Sequence, residues 1–176
     1  MTTWALLAPG PSASRELADR VAHLPIGAIG CAYQLVDNPA FIAASDKAWW
    51  RHYPDAKDRG CPIYTMAAGT PAEQVAIPHL GAVCNSSVLA MEVAKRAGAT
   101  RIILLGVDMH GSHFFGPYAN GLRNTKPHQR EQHKRQFSDW GRLNRAVQVF
   151  NCTPKSALTC FPSRSLDDVL TEITAR

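Results

Sequence analysis

Asn85-Ser-Ser-Val-Leu-Ala-Met-Glu-Val-Ala-Lys-Arg-Ala-Gly-Ala-Thr-Arg-Ile-Ile-Leu-Leu-Gly-Val-Asp-Met109 is the stretch whose reading decides the fold. Asn85 or Ser86 is suited to cap a helix, because either side chain accepts a hydrogen bond from a free first-turn amide. Val88, Leu89, Met91 and Val93 mark an apolar stripe, with Glu92, Lys95 and Arg96 expected to face solvent. Gly98 stands where a left-handed residue closes a helix, and Lys95 and Arg96 complement the dipole there. Ile102 to Leu105 is then an unbroken apolar run, as in a strand covered on both faces of a parallel sheet. Gly106 and Asp108 follow at its carboxyl end, the side on which open α/β sheets bind ligands. Two roles stay open for Asp108, a site carboxylate or a turn cap.

The rest of the chain repeats this strand and helix alternation. Trp4–Ala8 reads as the first strand, followed by Pro9-Gly10-Pro11-Ser12 and a helix with Leu17, Ala18 and Val21 inside. A tight turn at that place aims free amides above the sheet, where a phosphate is commonly held, with Ser12 or Ser14 as cap. The second and third glycines of the dinucleotide fingerprint are missing. Ile26–Tyr33, Phe41–Ala44 and Cys61–Met66 read as further strands, with Thr70–Leu80 as loop. Asp46 ends the third strand, ahead of a short helix whose Trp49 and Trp50 read as core. Val147–Phe150 is the last expected strand, and Leu166–Ile173 a final helix capped by Ser165. The expected architecture is therefore a single Rossmann-like three-layer α/β domain over residues 1–176, with a mostly parallel sheet.

Residues 109–127 are rich in glycine, polar and aromatic residues, have no period, and read as a lid. The lid carries His110 and His113, and after it Pro127–Val147 reads as a long basic helix with Phe137, Trp140, Leu143 and Val147 inside. From Arg123 to Arg145 seven basic residues meet two acidic ones, so the segment carries 7 − 2 = +5. Such a patch suits phosphates, on a nucleotide or on a nucleic acid; it is also what a solvated helix face looks like. No recognition motif supports the nucleic-acid reading, which ranks last. The five cysteines are scattered and form no Cys-x-x-Cys pair, which argues against a disulfide framework or a zinc ribbon. No apolar run reaches membrane-spanning length, and no basic region precedes Trp4–Ala8, so a soluble cytoplasmic protein without membrane partners is expected. A homo-oligomer is allowed, but nothing in the sequence specifies one.

Together these pieces resemble the domain of unknown function 115 group, which includes 6-hydroxymethylpterin pyrophosphokinase-like proteins, and more distantly the sialyltransferases of glycosyltransferase family 42. The matching residues are Pro9-Gly-Pro-Ser12, Asp46-Lys-Ala-Trp-Trp50, Asn85-Ser86 with Ala97-Gly98, and Leu104-Leu-Gly-Val-Asp108. His113-Phe-Phe-Gly116, Gly121-Leu-Arg-Asn124 and Asn151-Cys-Thr with Ser156-Ala-Leu complete them. The Asp-x-x-Trp-Trp and Gly-Leu-Arg-Asn elements look most like phage-borne members, which places the protein in a host cytoplasm. The resemblance implies a nucleotide above the strand ends, a cytidine-monophosphate sugar in the sialyltransferases and ATP in the pterin enzymes. It implies that Gly10, Pro11 and Ser12 line the phosphate or ribose, and that Asn85, Ser86 and Ser156 face the nucleotide. His113 would lie near the sugar or leaving group. The transferase lid reads His-x-x-Gly-His with the second histidine as catalytic base, and Pro117 occupies that position here.

Two readings follow. In the first the chain is a nucleotide-dependent transferase, with His113 or His110 as general base and Arg123, beside Asn124, neutralising the leaving phosphate. Mg²⁺ would then find Asp108 and Asp46 as the carboxylates at strand ends. In the second the chain keeps the nucleotide pocket and has lost the chemistry.

Overall fold

The computed structural model describes residues 1–78, 80, 84–119 and 121–175. Seven strands form one open, wholly parallel sheet: β1 (Thr3–Leu7), β2 (Ile26–Ile29), β3 (Phe41–Ala43), β4 (Ile63–Thr65), β5 (Glu73–Gln74), β6 (Arg101–Leu105) and β7 (Gln148–Asn151). Their order across the sheet is β5-β4-β3-β2-β1-β6-β7. The chain thus builds outward from β1 to β5, crosses back, and resumes at β6 on the other side of β1. β1 and β6 pair from Thr3–Arg101 through Leu7–Leu105, so their carboxyl ends stop level. The loops leaving them diverge, and that is where a crevice opens in such sheets.

The apolar run in β6 is explained by burial on both faces. Ile103 and Leu105, with Ala5 and Leu7 of β1, pack under α1 (Arg15–Arg20), α2 (Lys47–His52) and α5 (Leu166–Thr174). Ile102 and Leu104, with Leu6, pack under α3 (Ser86–Arg96) and α4 (Pro127–Leu143). These are the three layers expected. Trp49 and Trp50 are core, with indole N–H groups donated to Cys31 Sγ and the Ala44 carbonyl.

α3 begins and ends as its residues dictate. The Asn85 side chain accepts from the Ser87 and Val88 amides, both at 3.1 Å. At the other end Ala99 N–H donates to the Ala94 carbonyl and Gly98 N–H to that of Lys95, a Schellman closure made possible by Gly98 at φ +90°. Of the expected solvent face, Arg96 is exposed and Lys95 partly so, and the reading fails at Glu92. Every residue from Ser87 to Ala94 is buried, Glu92 included, because α3 lies between the sheet and α4. The Glu92 carboxylate is held by Lys95 at 2.8 Å, Arg96 at 2.9 Å and the Trp140 indole at 3.1 Å.

Three boundaries also differ from expectation, and the structure decides between the two caps offered for α1. The second strand stops at Ile29, because Gly30 turns left-handed (φ +49°) into a 3₁₀ segment, Gly30–Leu35. The expected loop after β4 contains a two-residue edge strand, Glu73–Gln74. α4 ends at Leu143, capped at Asn144, so Val147 is outside it and Leu143 is 46% exposed. Ser14, not Ser12, caps α1 through the Leu17 amide. No helix among the described residues is long and apolar enough to cross a membrane.

Candidate functional site

A cleft lies above the carboxyl ends of the strands and divides into two chambers. The larger, about 660 Å³, is walled by the ends of β2, β3 and β4, the start of α3, the lid and α4. That volume is in the range of small-molecule pockets. The smaller, about 140 Å³, sits where the β1 and β6 loops meet. His113 from the lid and His133 from α4 line both, so they stand at the junction.

The floor of the small chamber is set by two glycines. Gly10 N–H donates to the Gly106 carbonyl at 3.0 Å. A Cβ on Gly10 would fall 2.1 Å from Asp108 Oδ2, and one on Gly106 2.2 Å from the Ala8 carbonyl. Only residues without a Cβ let these loops touch. Asp108 is 3% exposed and accepts from the Ser12 hydroxyl at 2.9 Å and the Ser12 amide at 3.3 Å. Its own carbonyl accepts from Ala157 N–H. Of the two roles left open for Asp108, loop fastening is the one its contacts fill, although it also borders the small chamber.

The lid is held in place by hydrogen bonds to backbone carbonyls and by the packing of Phe114, Tyr118 and Leu122 against the core. Phe114 N–H donates to the Pro9 carbonyl, and Arg130 donates to the carbonyl of Gly111. Asn124 exchanges two hydrogen bonds with the Tyr118 backbone, 2.8 and 3.1 Å, which closes the lid on itself. His113 stacks on Phe115, with ring centroids 4.9 Å apart and planes at 6°, and leans on Tyr118. Its Nδ1 is buried without a hydrogen-bond partner, as is the Ser45 hydroxyl across the large chamber. Burial lowers the His113 pKa below the ordinary imidazole value; the Gly116 backbone opposes this and the Arg130 charge adds to it. Burial alone lowers that of His133. Both imidazoles are therefore neutral at pH 7.

Most of the residues expected at a site do gather here. Asp46, Asn85, Ser86, Arg123 and Asn124 line the large chamber. Gly10, Asp108 and His110 line the small one. Several are already engaged: Asp46 caps α2 through the Ala48 amide, and Asn85 caps α3 while donating to Gln136 Oε1. Ser86 Oγ accepts from the Ser45 amide at 3.0 Å. His110 Nε2 lies 3.1 Å from the Lys155 carbonyl. Pro11, Ser12 and Ser156 line neither chamber. Ser156 instead donates to the Val107 carbonyl at 2.5 Å and accepts from Leu158 N–H, so it shapes its loop. Pro117 is exposed and also outside both chambers. Among the described residues no three His, Cys, Asp or Glu side chains group to hold a metal ion, and Asp46 and Asp108 line different chambers.

Sequence reasoning passed over Lys47, Gln129, Arg130 and His133. Lys47 and Arg123 reach the large chamber without a carboxylate partner among the described residues. A signal for His133 was present. The buried stripe Phe137 and Trp140, continued backward at helical spacing, runs through His133 to Gln129 and Arg130. A stripe that turns polar just where the lid begins marks a helix leaving the core for a cleft. No protein-family model matches the chain, and neither a curated protein nor a solved structure matches it significantly.

Proposed function

We propose that the chain binds a nucleotide or nucleotide-sugar across the strand ends and acts as a nucleotide-dependent transferase, as its resemblance to the domain of unknown function 115 group and to glycosyltransferase family 42 implies. The observation that carries this is the divided cleft at the carboxyl edge of a parallel sheet, rimmed by Lys47 and Arg123, which make no ion pair among the described residues and outnumber the one carboxylate there, Asp46. Excess cation beside an apolar wall of Ile29, Trp49 and Leu122 matches a ligand with a flat base and an anionic tail. His113 is the base best supported. It is neutral, borders both chambers, and has a ring nitrogen free to take a proton from an acceptor hydroxyl.

CMP, a CMP-sugar and ATP should each be tested by thermal shift, with nucleotide release from the donor followed in parallel. At least one should raise the Tm and be turned over, and His113→Ala should abolish turnover. A protein that none of them stabilises is not a nucleotide binder. The exposed position of Pro117, outside the cleft, favours a second reading in which binding survives without chemistry; a shift with no release from any donor is its signature.

A further inference from the structure

We propose that the small chamber is an anion subsite, so that a bound nucleotide lays its nucleoside in the large chamber and its phosphate, or the group bonded to it, between Arg130, His113 and His133. The proposal rests on the nucleotide reading for the occupant of the large chamber, but not for the anion itself.

Three observations carry it. Arg130 borders the small chamber, half-buried, and has no carboxylate partner among the described residues. Its bond to the Gly111 carbonyl fixes the guanidinium without neutralising it. A partly buried cation held in one place attracts an anion more strongly than the exposed Lys47 and Arg123, which water and salt screen more fully. Second, His113 and His133 border the same small space and can offer it an N–H donor, while His110 beside them directs Nε2 to the Lys155 carbonyl. The one carboxylate there, Asp108, has Oδ2 committed to both Ser12 donors. Third, the space suits one small group. At about 140 Å³ it is close to the roughly 150 Å³ of a cavity that takes a single benzene, too little for a base and sugar together. The chamber opens into the larger one at His113 and His133, so a phosphate seated there leaves its ester oxygen pointing at the nucleoside's place.

Histidine Cε1–H resonances of the full chain, assigned with His110→Gln, His113→Gln and His133→Gln, read the site directly. Inorganic phosphate, titrated against chloride at matched ionic strength, should move His113 and His133 saturably and leave the exposed His23, His52 and His128 unmoved. Uniform small shifts of all the histidines, or none, overturn the proposal. Arg130→Met should then weaken CMP or ATP by about tenfold or more, the loss of one charge-assisted contact, and leave cytidine or adenosine unchanged. Arg130→Lys should recover part of that loss. Equal weakening of nucleotide and nucleoside would mean that Arg130 only holds the lid, and the subsite would be wrong. Should Arg130→Met lose its fold, His133→Gln carries the same comparison. Phosphate binding without any nucleotide or nucleoside binding would sink the nucleotide reading and leave the anion subsite standing.

Discussion

At the residue scale the cleft depends on what two positions lack. The Gly10 backbone is not in a left-handed conformation, so its need for glycine is purely one of approach: a methyl group would overlap Asp108 Oδ2 and the Gly106 carbonyl. The resemblance gives Gly10 to the ligand, whereas its contacts show that the protein itself uses the space. Gly10→Ala must part the β1 and β6 loops and break the Gly10–Gly106 hydrogen bond and the Ser12–Asp108 pair. Overpacking of this kind costs about 1–3 kcal/mol, or roughly 3–10 °C in Tm for a chain of this size. The predicted variant also loses the small chamber's shape, so phosphate no longer shifts His113. Calorimetry and the histidine spectra check the two halves separately, and a variant with unchanged Tm would show that the loops have slack the structure does not contain.

At the element scale the instructive case is α3. Its cap, its glycine stop and its strand partner are legible because each is fixed by chain-local chemistry: an amide acceptor, a positive φ, an unbroken apolar run. The burial of Glu92 is not legible, because it depends on α4 arriving from more than forty residues away and donating the Trp140 indole. A charged residue beside Lys95 and Arg96 reads as solvated until that partner is known. His133 is different: the stripe through Phe137 and Trp140 puts it on the inward face of α4, but that this face meets a cleft there follows only once the helix is placed. Burial disfavours the Glu92 carboxylate, yet the bonds from Lys95, Arg96 and Trp140 outweigh it, and the net pKa is lowered. The group is thus more acidic folded than unfolded. Its stabilisation is complete above the unfolded carboxylate pKa, about 4.3, and fades as pH falls through the lower folded value. Glu92→Gln is expected to cost about 1–3 kcal/mol at pH 7, because Lys95 and Arg96 are partly exposed and rehydrate. The penalty should shrink as pH falls below the unfolded carboxylate pKa and on through the lower folded value, where the parent carboxylate takes up its proton. Urea titrations of both proteins at pH 7 and pH 3.5 give the comparison; an equal difference at the two pH values would remove charge from the explanation.

At the scale of the whole molecule, sheet order and charge act together. The alternation of strands and helices makes a doubly wound sheet readable from sequence, but the level ends of β1 and β6 come only with the register. The entire formal charge of +5 equals that of the segment Arg123–Arg145, so the remainder of the chain sums to zero. That segment closes the cleft on the lid side, bringing Arg123, Arg130 and His133 to its walls. Of that segment only Arg123 and Arg130 place formal positive charge at the cleft, since α4 runs on to Asn144 beside Lys95 at the far end of α3; under the proposed function their field would draw an anionic ligand toward the cleft before contact. Such steering works only within the Debye length, about 30 Å at 0.01 M ionic strength and about 3 Å at 1 M. The association rate of CMP or ATP should accordingly fall by about tenfold or more across that range, while the dissociation rate changes much less because the anion is desolvated once seated. Cytidine and adenosine, uncharged, should associate at a rate that salt leaves nearly flat. Stopped-flow measurements on the four ligands separate these cases. If nucleotide and nucleoside slow in parallel, the basic helix is a solvated face that takes no part in capture, and the charge asymmetry belongs to solubility rather than to the cleft.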